Sequence, residues 1–376
     1  MSAKQAALFS TSFLQYSQTF IYDELQFHER YKMDVFCNER LNTDQFSYDR
    51  VFHPPPNRLS QSLYRNVGYW PGFESHFRKK NYALIHAHFG TGAIYALPYA
   101  RKYTLPLVVT FWGNDVSALI GSQRYLPSRW RYVYKARKIL DRADLVLTVS
   151  DEMKQILEEY SGYSDKIRRY QPGVDTQKFS PLEVAKNPSS PVELLLIGRF
   201  VQKKGHIYAL KALKKVIISG REARLSFIGD GPLKTECQHF VQKNDLTTKV
   251  RFMGKMTHQE VSSRLAASDL LLMPSIVADN HDREGSPTVV KEAGACGVPV
   301  IGSYHAGIWE TVVDGKTGYL LPERDVNGLA DRIISLIDQP EMIQTFGSQA
   351  RQRIKQHFDA KKQVATLELL YDSVAK

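Results

Sequence analysis

Apolar and polar positions change period many times along this chain, and the changes themselves predict its elements. From Tyr82 onward the apolar runs "ALIHAHF", "LPLVVTFW" and "ADLVLTVS" read as buried strands. Between them "GAIYALPYARKY" and the basic segment ending at Asp141 read as helices. The rhythm restarts after Pro191, where "VELLLIGRF", "ARLSFIGDG", "VRFMG" and "DLLLMPS" predict strands and "HIYALKALKKVIISG", "LKTECQHFVQKN" and "THQEVSSRLAAS" predict helices. Strands that alternate with helices pair in parallel, with crossover helices on the sheet faces. "SPLEVAKNPSSP", rich in Pro, Ser and Asn, separates the two blocks as a linker. The prediction is an α/β chain of two doubly wound, Rossmann-like domains facing across a cleft. Residues 1–180 form the first, 181–191 the linker, 192–355 the second, and 356–376 a helix that packs back on the first. In such sheets ligands sit beyond the carboxyl ends of the strands.

Length and composition fit this reading. A chain of 376 residues exceeds most single cores, and 43% hydrophobic with 24% charged residues describes a globular protein. The longest apolar runs fall short of a spanning helix. The start "MSAKQAALFSTSF" lacks the charged head, apolar run and cleavage site of a secretory signal, so a cytoplasmic protein is expected. Three scattered cysteines, Cys37, Cys237 and Cys296, suit a reducing compartment and predict neither a disulfide frame nor a zinc site.

A net charge of +11 calls for an acidic partner. Residues 124–142 hold seven Lys or Arg against one acid, interleaved with Trp130, Tyr132 and Tyr134. A second basic and aromatic cluster lies in "LYRNVGYWPGFESHFRKK". This mixture suits an anionic lipid surface or the phosphates of a lipid-linked acceptor. A solvated basic helix with its aromatics turned to the core explains it equally. No nucleic-acid-binding pattern accompanies the charge, so nucleic acid is not an expected partner.

Candidate chemistry falls at the strand ends. In "EGSPTVVKEAGACGVPV", Ser286 reads as a helix N-cap, Pro287 as the first helical residue, Thr288 to Cys296 as the helix and Gly297 as its left-handed cap. Glu284 then precedes the helix and Glu292 lies about 8 Å along its axis. The free N–H groups of Thr288 and Val289, with the helix dipole behind them, make an anion site. Two solvated surface acids remain the plain alternative. "GRFVQKKG" places Gly198, Arg199 and Lys204 at the end of a strand, two cations able to pair with two phosphates, and leaves Lys203 as the solvated neighbour. "GDGP" adds Gly229 and Gly231 but lacks the full dinucleotide fingerprint, which argues against a nicotinamide enzyme. His86 and His88 share one face of a strand; no third ligand stands at a telling spacing, so no metal is expected. "DNHDRE" reads as a surface loop.

With these pieces in order, the chain resembles retaining glycosyltransferases of the GT-B fold, family 4, over nearly its whole length. "PGVDTQKFSP" is similar to that family's interdomain signature, "GRFVQKKG" to its diphosphate-binding turn, "EGSPTVVKEAGACGVPV" to its Glu-x7-Glu element and "AGIWETVVDGKTGYLL" to its donor loop. "SQTFIYDEL" and "EGSPTVVKEA" resemble the bacterial exopolysaccharide enzymes of the colanic-acid and amylovoran type. The resemblance implies that Glu284 meets the donor sugar hydroxyls, Glu292 the ribose, Arg199 and Lys204 the diphosphate, and Ser286, Pro287, Thr288 and Val289 the sugar and phosphates. Gly198, Gly229 and Gly231 would line the donor, and His88 would stand near the reacting carbon. Two departures stand out. The first glycine-rich loop is replaced by "STSFLQYSQTF", which passes its contact to hydroxyls such as Ser10, Thr11 or Thr19. "TFWGND" has Trp112 where a histidine often stands, leaving Asp115 as the matching acid on the acceptor side.

The implied activity is metal-independent transfer of a hexose, with retention, from a UDP- or GDP-sugar to a lipid-linked or polysaccharide acceptor on the inner face of the cytoplasmic membrane. A nucleotide-sugar epimerase of the same fold and a non-catalytic basic binding protein are the rival readings.

Overall fold

A computed structural model describes residues 3–15, 18–182 and 191–375. The chain forms two compact units. Unit 1 gathers Met1–Gly173, Asn280–Gly285 and Ala360–Lys376, and unit 2 gathers Val174–Asp279 and Ser286–Asp359. Most of the segment expected as a linker lies outside the described residues.

Unit 1 is built on seven parallel strands in the order β5-β3-β1-β6-β7-β8-β9: β1 Lys4–Phe9, β3 Tyr31–Phe36, β5 Val51–Phe52, β6 Tyr82–His88, β7 Leu107–Phe111, β8 Leu145–Thr148 and β9 Ile167–Arg169. β2 Ser12–Phe13 and β4 Glu39–Arg40 form a separate short ladder. All seven residues of β6 are buried, as a central strand covered on both faces requires. The helix Ala360–Asp372 belongs to this unit. Glu368 on it accepts hydrogen bonds from the backbone N–H groups of Glu29, Arg30 and Tyr31; burial pushes its carboxyl up, but the contacts with His28 and with the backbone and side chain of Arg30 outweigh it and hold it at about 2.

Unit 2 has six parallel strands in the order β12-β11-β10-β13-β14-β15: β10 Val192–Ile197, β11 Ala223–Ile228, β12 Val250–Phe252, β13 Leu270–Met273, β14 Val300–Ser303 and β15 Gly318–Leu321. Every strand predicted after Pro191 is present, and the helices His206–Ile218, Lys234–Lys243 and His258–Ala267 fill the predicted crossovers. In both sheets the strand order reverses beside the first strand. The reversal falls between β1 and β6 in unit 1 and between β10 and β13 in unit 2. Loops leaving the two strands of such a switch point diverge to opposite faces of the sheet and open a crevice there.

Candidate active site

The switch point of unit 2 is assembled from glycine turns and cations. β10 ends at Gly198, where an added Cβ would lie 3.0 Å from Cδ and Cε of Lys204. The lysine stem therefore rests on the bare glycine backbone, half-buried, while Arg199 beside it is exposed. On the neighbouring strand end, Gly229 has φ +137, and a Cβ there would meet the Gly198 carbonyl oxygen at 2.1 Å. Only glycine lets these two turns lie back to back. Gly231 follows against the backbone of Phe200. Lys203, expected to be solvated, is half-buried, and its carbonyl accepts from Ile276 N–H at 2.9 Å.

The helix after β13 runs Thr288–Ala295, and Gly297 takes the expected left-handed conformation with φ +73. Its N-cap is Pro287, with no side-chain cap, so the N-cap expected of Ser286 is not formed. Lys291, fully buried, donates to Ser286 Oγ at 2.9 Å and draws the hydroxyl away from the first-turn amides. Its ammonium also lies 5.2 Å over the ring of Phe358. A lysine inside a helix ordinarily reads as solvated, and nothing in the neighbouring residues signals this burial. Thr288 and Val289 open the helix as predicted. Glu292 is buried, with Oε1 3.5 Å from Nε2 of His258, a contact that spacing along the chain did not suggest. His206, the first residue of its helix, stacks on Phe200 with ring centroids 4.0 Å apart, and burial pushes its imidazole down to about 3.

Glu284 falls in unit 1, while Ser286 and Glu292 fall in unit 2. Glu284 is buried; its neighbour Arg283 pairs with Glu152, and a Cβ on Gly285 would meet the Trp112 carbonyl at 2.1 Å.

Polar groups at the switch point of unit 1 are largely buried, with half-buried aromatic faces beside them. His88 ends β6, wholly buried, and Phe89 after it turns the chain into a helix with φ +65. Asp115 accepts four backbone N–H bonds, from Gly90 at 3.0 Å, Trp112 at 3.0 Å, Gly113 at 2.9 Å and Val116 at 3.1 Å. Burial raises its carboxyl despite these four bonds. The acid expected on the acceptor side thus spends both oxygens on the turn. Thr19 opens the helix Thr19–Gln26, half-buried, and Ser10 donates to the Ser12 carbonyl at 2.9 Å. The same helix carries Glu24 to 3.3 Å from His88, so a carboxylate does join the histidine pair although none was visible from spacing.

The chain matches the family pattern Glycosyl transferases group 1 over residues 182–353 and Glycosyltransferase Family 4 over residues 25–178. WcaL of Escherichia coli, a glycosyltransferase named for colanic acid biosynthesis, is 30% identical over 287 residues, covering 75% of this chain and 68% of WcaL. The chain belongs to the group 1 glycosyltransferases. N-acetyl-alpha-D-glucosaminyl L-malate synthase of Bacillus anthracis is 27% identical over 98% of this glycosyltransferase and 89% of its own length. Among solved structures, HepE of Anabaena in complex with UDP and glucose aligns with a TM-score of 0.78 at 18% identity, covering 99% of this chain and all of that one. The sucrose-phosphate synthase of Thermosynechococcus elongatus gives 0.78 at 21% identity, with 98% of each chain covered. The two parallel α/β units are those of the GT-B fold.

Proposed function

We propose that this glycosyltransferase moves a hexose, with retention, from a UDP- or GDP-sugar to a lipid-linked or polysaccharide acceptor in bacterial exopolysaccharide synthesis. The observation that carries the donor half is the cationic turn of unit 2, with Arg199, Lys204 and the start of the helix Thr288–Ala295 at one switch point. Such a set meets a diphosphate without a metal, since fixed cations and helix N–H groups supply the positive charge. The name of WcaL and the ligands of HepE support the pathway and the uridine donor respectively. Catalysis then comes from stabilising the charge that develops on the departing diphosphate, while the acceptor hydroxyl attacks the face the nucleotide leaves. Glu284 would hold the donor sugar hydroxyls, Glu292 the ribose, and Ser286 and Pro287 the sugar and phosphates.

Attachment to the inner face of a membrane is part of the proposal, and two surfaces of unit 1 support it. On the helix Trp130–Arg142, Tyr132 turns into the core, but Trp130 and Tyr134 are 66% and 64% exposed on one row, with Lys138 over the Tyr134 ring at 5.0 Å. The helix Arg58–Val67 exposes Leu59, Leu63 and Val67 four residues apart. Arg131 bonds the Arg65 carbonyl and ties the two helices together. An apolar row beside cations suits an anionic bilayer. Phe73, expected to help, is a core residue, and Arg78 pairs with Glu74. No helix among the described residues is long and apolar enough to cross a membrane.

The test is a screen of UDP- and GDP-hexoses in excess EDTA, with lipid-linked acceptor on anionic vesicles and the anomeric coupling of the product read by NMR. An axial-to-axial outcome supports retention. Conversion of the sugar nucleotide alone into a second sugar nucleotide would replace transfer by epimerisation.

A further inference from the structure

His86 and His88 sit two residues apart on β6, with ring centroids 4.3 Å apart, yet their surroundings differ. His86 is held on both sides, Nδ1 by Tyr371 Oη at 2.6 Å and Nε2 by Thr110 Oγ1 at 2.7 Å. Burial keeps the Tyr371 phenol protonated and pushes His86 well below its ordinary value. The phenol therefore donates to Nδ1, and a neutral His86 passes its Nε2–H to Thr110. His88 has no such clamp: neither ring nitrogen makes a hydrogen bond to the described residues, and Glu24 Oε1 lies 3.3 Å from Nε2. The other Glu24 oxygen accepts from Tyr170 Oη at 3.3 Å, which fixes the carboxylate in place. A buried nitrogen without a partner carries a desolvation penalty that a hydrogen bond from a ligand would relieve. Around it stand half-buried aromatic faces, Phe20 on Trp112 at 3.9 Å and Trp112 5.7 Å from His88. The Trp112 Nε1–H also has no partner among the described residues. Flat apolar faces beside unfilled polar atoms suit a ring that carries hydroxyls.

We propose that Glu24 is a positioning residue for His88: the negative charge of its carboxylate, 3.3 Å from Nε2, favours the Nε2–H form of the ring, which leaves Nδ1 to accept a hydrogen bond from a hydroxyl of the sugar substrate. The inference rests on the transfer reaction proposed above. Ligand-capable atoms of Glu24, His86 and His88 all lie within 4.8 Å of one another, but both His86 nitrogens are already engaged, so the group is read as a carboxylate–imidazole pair and not as a metal site.

The test combines turnover with 15N NMR of the histidine rings, on the full chain. In the parent, His88 should show a single Nε2–H form; in Glu24→Gln that form should give way to a mixture. In the same variant kcat should fall by about 10- to 100-fold with KM for the sugar nucleotide nearly unchanged, as for a misplaced reactive group. Adding Glu24→Gln to His88→Ala should cost nothing more, because the carboxylate acts only through the ring. If Glu24→Gln does not fold, Glu24→Asp, which withdraws the carboxylate by one methylene, must produce the same ring mixture. An unchanged ring spectrum in the folded variant, independent losses in the double variant, or one tightly held zinc ion per chain would overturn the assignment. Absence of any sugar transfer by the parent would sink the reaction instead, and the ring spectra would still judge the pairing.

Discussion

In unit 1 the backbone N–H groups of Gly90, Trp112, Gly113 and Val116 converge on the carboxylate of Asp115. In unit 2 the turns at the corresponding strand ends carry Gly198, Gly229, Arg199 and Lys204, followed by the start of the helix Thr288–Ala295. Both arise from parallel strands that run into helices, where free N–H groups gather and favour negative charge. The first unit meets that demand with an acid from its own chain, which makes the turn a structural staple. The second places the cations Arg199 and Lys204 there, so its charge is the opposite of that in the first. The same topology thus carries an acid bound by backbone amides in one unit and a pair of cations in the other.

The largest effect that bears on this contrast is expected in unit 2. Lys204→Ala or Arg199→Ala should slow transfer by roughly two to three powers of ten, the loss typical of removing one fixed donor from a developing anion. Thermal unfolding should barely move, since neither cation holds the core together. Initial rates and melting curves check this, and parental turnover in both variants would erase the difference between the units.

In unit 1 the effect should appear in stability. Asp115→Ala strands four backbone N–H groups and is expected to cost about 3 kcal/mol, read from urea midpoints. Binding of nucleoside diphosphate by unit 2 should persist. An Asp115→Ala protein as stable as its parent but unable to transfer sugar would move Asp115 from staple to substrate contact.

Much of this was legible beforehand, and the reasons are physical. Strands buried on both faces read as apolar runs, so β6, β7, β8 and β13 follow from the pattern, while β10 and β11 follow from apolar runs that are only partly buried. "GRFVQKKG" and the start of the helix at Thr288 are local, since the residues that shape each turn lie within a few positions of it. What stayed hidden depends on long-range packing. Lys291 looks solvated until Phe358 and Ser286 close over it, and Glu24 meets His88 only because β1 and β6 are neighbours. The return of Asn280–Gly285 to unit 1 has no signature in composition either, being held by the Arg283–Glu152 pair and the bare backbone of Gly285.

Acid should act on both units alike and so test the contrast from another side. His206 in unit 2 is held at about 3 by burial, against 6.5 for the unperturbed ring. Above about pH 6.5 both folded and unfolded chains carry it neutral and it contributes nothing. Below that the unfolded chain takes a proton that the folded one refuses until about pH 3, so stability falls by about 1.4 kcal/mol per pH unit across the window. His86, pushed down in the same direction, does this in unit 1. Urea midpoints at pH 7.5 and 5.5 should show the loss, and His206→Phe, which keeps the stack on Phe200, should remove about half of it. An undiminished loss in that variant would mean that the buried ring of unit 2 already accepts a proton.

The smallest effect separates shape from charge within the cationic turn. Gly198→Ala puts a methyl 3.0 Å from Cδ and Cε of Lys204, but the stem is flexible and its ammonium is retained. The expected result is a rise of about three- to tenfold in KM for the sugar nucleotide, since each 1.4 kcal/mol is a factor of ten and a shift of a few tenths of an ångström costs less than that. Gly229→Ala is the harsher control: its methyl would meet the Gly198 carbonyl at 2.1 Å with φ at +137, so it should lower the melting temperature as well. If Gly198→Ala instead matched Lys204→Ala in lost turnover, the cation would be working through an exact placement on the glycine and not through its charge alone. The cationic turn of unit 2 would then be as tightly built as the Asp115 turn of unit 1.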